Sequence, residues 1–348
     1  MSATSRELVW QTLRFESPAR APRQLWHLPW AEKRFPEALQ AIRARYPADI
    51  NGAPGFHSET PPTKGNATEV GIYSDEFGCE FTNIHEGVIG EVKNPIIRSW
   101  QEDASRVRFP RELLTIDADK VNAWCATRSD FITAGCCPRP FERLQFLRGT
   151  ADFYIDLMTR PPGMDAFIKE LHAFNCALLE LWAKTDVDAL SFMDDWGSQK
   201  ALLIAPQLWR EIFKPMYRDF IQIAHGADKA IFMHTDGYTV DIFPDMIELG
   251  LDAINSQIFC MGVETLRPFA GKITFWGEID RQHILSEGTA QDAEAAVLSV
   301  YENLWRNGGC IAQCEFGPGG NPEAVAAVFA AWDRLTAQTG PKAGSAPQ

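Results

Sequence analysis

Five short stretches place reactive side chains directly after apolar runs: "FMDDWGSQ", "FMHTDG", "INSQ", "FWGEIDRQH" and "AQCEFG". In the second, His234 and Asp236 are two residues apart, a spacing that puts both side chains on one face of an extended strand. If that face looks into a pocket, the pair could ligate a metal, exchange a proton with a substrate, or simply hydrogen-bond to each other. An imidazole can hold zinc through one nitrogen while a carboxylate or carbonyl fixes the other. In "GGCIAQC", Cys310, Ala312 and Cys314 share a face if the run is extended, and Cys314 lies nearest the strand's end. Thiolate is a soft ligand that favours zinc, so His234, Asp236 and Cys314 would give three ligands and leave a fourth position open. The plain alternative for Cys314 is an inert apolar thiol.

The remaining candidates are carboxylates and amides. Asp194 and Asp195 are adjacent, so in a strand they face opposite ways. One is expected at the pocket, accepting donors from a substrate amine. The other is expected to cap the following turn with Ser198 and Gln199, a contribution of about 1 kcal/mol. Glu278 and Asp280 could act as general acid or base or replace a thiolate on a metal, with Arg281 neutralising them or binding an anionic substrate. The expected catalytic set is therefore His234, Asp236 and Glu278. Asp194, Asp195, Asn255, Gln257, Asp280 and Arg281 are the expected substrate contacts, joined from the N-terminal segment by Trp26, His27 and Asp75.

These residues need a scaffold that brings strand ends together. From about residue 110 the chain alternates strand and helix signals: a helix from Met164 to about Lys184, the run "ALSFM", a helix from Pro206 to His225, then "KAIFMH", "LDAINSQ", "KITFWGEID" and "CIAQCEF" with helices between them. Such alternation implies a parallel sheet covered by helices. No glycine-rich phosphate loop follows an early strand, which removes the best signal for a nucleotide-binding doubly wound sheet. The polar clusters at strand ends fit a single (β/α)8 barrel, whose loops after the strands meet at one face. Residues 1–335 are expected to form that one domain. Within it, 1–109 would be an elaboration of loops and short strands near the barrel mouth, and 336–348 a disordered tail.

The formal charge of −13, from 46 acidic and 33 basic side chains, disfavours a nucleic-acid partner. No stretch approaches the roughly 20 apolar residues of a membrane span, and the N-terminus carries no apolar segment of signal-peptide length. A cytoplasmic protein without membrane attachment is expected. Eight cysteines in 348 residues are too sparse for a disulfide scaffold.

Taken together, "FERLQFLRGTADFYIDLMTRP", "DVDALSFMDDWGSQKALLIAPQLWREIFKPMY", "HTDGYTVDIFPDMIELGLDAINSQ", "KITFWGEIDRQHIL" and "NGGCIAQCEFGPGGNPEAV" resemble the uroporphyrinogen decarboxylase superfamily, including its corrinoid-linked methyltransferase branch. The resemblance implies the barrel fold. In the methyltransferases a His-x-Cys pair and a later cysteine hold zinc, which activates a thiol toward a methyl group carried by a corrinoid protein. By position His234 matches the first ligand, Asp236 stands where the pair's cysteine would be, and Cys314 matches the late cysteine. A carboxylate in place of a thiolate makes the ion harder and more electrophilic. True decarboxylases of this kind grip a many-carboxylate tetrapyrrole with an N-terminal arginine-containing run. Arg20 and Arg23 lie near that point, without the run itself.

The leading expectation is zinc-dependent methyl transfer from a corrinoid protein, or from a small methylated donor, to a thiol or similar nucleophile. Cofactor-independent decarboxylation is the second, and a non-catalytic barrel binding a corrinoid or aromatic ligand is the third. Expected partners are a small-molecule substrate, a corrinoid protein and a second copy of the chain in a homodimer.

Overall fold

A computed structural model describes residues 3–337. Eleven strands run along the described residues: β1 (Arg23–His27), β2 (Ile50–Gly52), β3 (Gly71–Ser74), β4 (Glu80–Asn83), β5 (Glu91–Val92), β6 (Phe131–Thr133), β7 (Ala189–Met193), β8 (Ala230–Thr235), β9 (Ala253–Ser256), β10 (Thr274–Trp276) and β11 (Cys310–Phe316). Eight of them form one parallel sheet in the order β1, β11, β10, β9, β8, β7, β6, β2, a nearly closed barrel surrounded by helices. The other three, β3 to β5, form the small antiparallel sheet. The helices Met164–Ala183 and Pro206–His225 stand where the hydrophobic period places them. The segment 1–109, expected as loops and short strands elaborating the one domain, also supplies the first two barrel strands. β1 and β2 lie inside the segment read as elaboration, and at five and three residues they are too short to show a period between their flanking prolines. Of the tail expected from residue 336, the helix Pro322–Ala337 takes the first two positions and the rest lies outside the described residues.

Period-two alternation sorts every barrel strand into two layers. Ile50, Phe131, Ala189, Phe232, Ala253, Trp276 and Ile311 pack with one another inside the barrel. The N-terminal helix Ser5–Leu13, started by a Thr4–Glu7 capping box, closes the bottom of this core with Val9 and Leu13. The alternate residues, among them Leu190, Ile231, Met233, Ile254, Phe275, Ala312 and Cys314, face the helices. Pro206–His225 meets that outer layer with Trp209, Phe213, Met216, Tyr217, Phe220 and Ala224, a spacing of three and four that makes one apolar stripe. Each large aromatic buried this way contributes about 1.5–3 kcal/mol. Among the described residues, no helix is long and apolar enough to cross a membrane.

Candidate active site at the barrel mouth

The alternation decides which side chains reach the carboxyl end of the barrel. On β8, His234 follows Ala230 and Phe232 on the inner face, and its neighbours in register are Met193 on β7 and Asn255 on β9. On β1, Trp26 points inward opposite Glu315 of β11. His234, Met193, Trp26 and Glu315, with Asp236, Trp276, Arg281, Ser191 and Cys137, line a cavity of about 660 Å3. The rings of Trp26 and Trp276 meet edge to face at 5.1 Å, and Trp26 lies 5.5 Å from the imidazole of His234.

A hydrogen-bond network fixes the histidine. Asn255, fully buried, donates through Nδ2 to the carbonyl of Trp276 at 2.5 Å and to Oε1 of Gln313 at 3.2 Å. Its Oδ1 therefore faces Nδ1 of His234 at 2.6 Å and can only accept, which places a proton on Nδ1. Nε2 is left facing two carboxylates, Asp195 at 3.7 Å and Asp236 at 3.8 Å. Asp195 also accepts from the amide of Asp236 at 3.0 Å, and Arg281 donates to Oδ2 of Asp236 at 2.5 Å. Oδ1 of Asp236 is buried with no hydrogen-bond partner.

One donor atom from each of Asp195, His234 and Asp236 lies within 4.8 Å of the other two. Ligand atoms 2.0–2.2 Å from a shared tetrahedral centre are about 3.4 Å apart, so this set fits a divalent ion with little rearrangement. The donors are one imidazole and two carboxylates, a harder set than one containing thiolate. Nearby, burial followed by the charge of Asp195 pushes the carboxyl of Glu142 up to about 7. Asp195 is itself raised, by burial and then by the charge of Asp236.

Several expected residues stand elsewhere. Cys314 shares a face with Cys310 and Ala312 as read, but that face is the helix layer. The thiol is fully buried among apolar side chains, burial pushes its pKa far up, and it does not join the metal-ligating cluster, where Asp195 stands as the third donor. Asp194 points away from the cavity and is fully buried. It accepts from the backbone of Glu142 at 2.9 Å, near the start of the helix Pro140–Arg148, and from the hydroxyl of Tyr217 at 2.5 Å. Its capping role is thus real but serves a different helix from the turn that follows it. His27 alternates outward from Trp26 and contacts Glu32 and Arg43. Asp75 is buried against Arg143 and two backbone amides.

Gln257 accepts from Gln199 and from the amide of Gly237, each at 3.2 Å, and Asp280 caps its own turn at Gln282 and His283. Both line a smaller cavity of about 250 Å3 together with Glu278 and Arg281. Arg281 belongs to both cavities and joins them, with Nη1 3.1 Å from Glu278 and 3.7 Å from Glu315. Trp276, Ser191, Glu142, Gln313 and Glu315 belong to the site and were not among the residues expected from sequence. The last two were signalled by the polar positions alternating with Cys310, Ala312, Cys314 and Phe316.

Glu278 is 2% exposed, neither of its oxygens has a hydrogen-bond partner, and burial pushes its pKa up to about 8 against the opposing charge of Arg281. The folded state then binds a proton that the unfolded chain has released, so stability should fall as pH rises from the ordinary carboxylate range through about 8, and stay lower above it. Urea midpoints across this window should show that decline in the parent and a flatter profile in Glu278→Gln. An equal decline in both would remove Glu278 as its source.

The uroporphyrinogen decarboxylase family model matches residues 70–335. Among solved structures, a methyltransferase from Methanosarcina mazei superposes with a TM-score of 0.65 at 16% identity, covering 96% of this chain and 99% of that one. A B12-independent methionine synthase from Shewanella sp. W3-18-1 follows at a TM-score of 0.43 and 12% identity, covering 71% of this chain and 70% of its own. No curated protein matches the chain.

Proposed function

The chain belongs to the uroporphyrinogen decarboxylase family, and from that premise we propose that it is a metal-dependent methyltransferase whose ion is held by Asp195, His234 and Asp236. The observation that carries the reading is the imidazole of His234, whose Nδ1 is fixed by Asn255 so that Nε2 faces two carboxylates at the barrel mouth. Zinc suits such N and O donors in a site with an open position. When bound, it would lower the pKa of a nucleophile such as a thiol and hold it in place.

The protein's own residues then divide the work. Arg281 steadies Asp236 through Oδ2 and leaves Oδ1 toward His234. Trp26 and Trp276 wall the site beside His234. Glu278, its carboxyl pushed up to about 8 by burial, stands beside Arg281 as a proton donor or acceptor. The cavity has the size of a small-molecule site, so the acceptor would be a thiol or amine of modest size. The donor would reach the open mouth as a small methylated compound or as a corrinoid on a partner protein; methyl transfer itself is in keeping with the superposing methyltransferase.

Decarboxylation of a many-carboxylate tetrapyrrole finds less support. The mouth presents Asp236 and Glu315 against a single arginine, Arg281, already engaged by both and by Glu278.

Metal analysis of protein purified without chelator tests the proposal. About one zinc per chain in the parent and none in His234→Ala is the expected result. A parent that takes up no divalent metal even when supplied with it would overturn the mechanism.

A further inference from the structure

A second cavity, of about 500 Å3, lies between the barrel and the antiparallel sheet. Tyr73, Phe77, Phe81, Phe146 and Phe174 line it, contributed by the small sheet and by two helices of the barrel's outer layer. Phe81 meets Phe146 edge to face at 5.1 Å, and Phe77 meets Phe174 edge to face at 5.9 Å. Aromatic walls of this kind favour a planar ring as guest over a saturated one.

The polar groups in the wall restrict the guest further. Asn175, 5% exposed on the helix Met164–Ala183, lines the cavity, and its side-chain Nδ2 has no hydrogen-bond partner. Nδ1 of His57, also in the lining, is without one as well. Buried amides are ordinarily satisfied, so an unpartnered one on a residue of the cavity wall is a candidate donor to a ligand oxygen. Of the two arginines, Arg143 is taken up by Asp75 and Glu76. Arg139 has one loose ion pair, to Glu142 at 3.9 Å. Asp75 and Glu76 line the cavity too, offset by Arg143, so a neutral guest fits, and one with a single negative charge has Arg139 as its counter-ion. Cys137 lines this cavity and the mouth cavity alike, so the two share a wall.

We propose that this second cavity binds a small aromatic molecule carrying an acceptor oxygen, with the ring among the phenylalanines and the oxygen toward Asn175. The inference is independent of methyl transfer, because none of the metal-ligating residues lines this cavity.

Calorimetric titration of the full chain with benzamide, benzoate and cyclohexanecarboxamide tests it. Benzamide or benzoate should bind saturably and about tenfold more tightly than the cyclohexane amide. The preferred one of the two identifies the oxygen as amide or carboxylate. Asn175→Leu should weaken that binding by about tenfold. Ile89→Asp places a charge on an exposed residue at the cavity rim, where folding is not at stake, and should weaken it as well. His234→Ala should leave it unchanged. Saturable binding of neither aromatic compound at millimolar concentration would overturn the proposal, as would binding that survives Ile89→Asp but is lost in His234→Ala, since that places the guest in the mouth.

Discussion

Asn255→Leu should weaken metal binding by roughly 10- to 100-fold while leaving every ligand in place, the range found when the residue orienting a metal-bound histidine is removed. Asn255 is fully buried and its amide bridges His234, Trp276 and Gln313. Leucine fills a similar volume but cannot accept from Nδ1, so the imidazole loses both its fixed tautomer and its orientation toward Asp195 and Asp236. Competition against a chromophoric chelator measures the affinity, and the nitrogen chemical shifts of His234 report which ring nitrogen carries the proton. The parent should show the Nδ1–H form and the variant a mixture of tautomers. Cys314→Ala supplies the contrast: its thiol faces the helix layer, so metal affinity should stay within about twofold of the parent. If Cys314→Ala lost the metal and Asn255→Leu kept it, the ligand set would be the one expected from sequence rather than the one the barrel assembles.

How that difference arose follows from the period of a strand. Sequence spacing correctly groups Cys310, Ala312 and Cys314 on one face, and His234 and Asp236 near one pocket. Spacing within a strand does not state which face looks inward. That is set by the neighbours in register, here Trp26 against Glu315 and His234 against Asn255. The composition of the two faces carried the answer: Cys310, Ala312, Cys314 and Phe316 are all apolar or thiol, whereas Ile311, Gln313 and Glu315 become polar toward the strand's end. An outer face packed on helices stays apolar to its last residue, while an inner face becomes polar where the barrel core ends. Asp194 and Asp195 obey the same logic, one inward and one outward, as their adjacency required. What adjacency could not supply was the identity of the helix capped by Asp194, because its start at Pro140 lies more than fifty residues upstream and only the fold brings the two together. The barrel itself was legible because its long helices and apolar strands each carry their own period. Strands of three and five residues, β2 and β1, do not.

Arg143→Met should cost about 3–5 kcal/mol of stability, the range for removing one partner of a buried ion pair. The guanidinium is 8% exposed, bonded to Asp75 and to Glu76, and lies over the ring of Phe77 at 4.0 Å. It therefore ties the helix Pro140–Arg148 to the turn between β3 and β4. Methionine keeps much of the volume but leaves Asp75 charged, 4% exposed and without its cation. The amides of Phe77 and Cys79 still donate to Asp75 Oδ1, so the turn survives locally while Oδ2 is stranded. Urea unfolding of the parent and variant measures the loss. Adding Asp75→Asn should recover part of it, because the amide removes the stranded charge. Lys93→Met breaks an exposed pair with Glu91 on the same small sheet and should leave the urea midpoint close to the parent's. Equal effects from Arg143→Met and Lys93→Met would show that the antiparallel sheet is held by its apolar contacts alone, with the buried charges contributing nothing to its attachment.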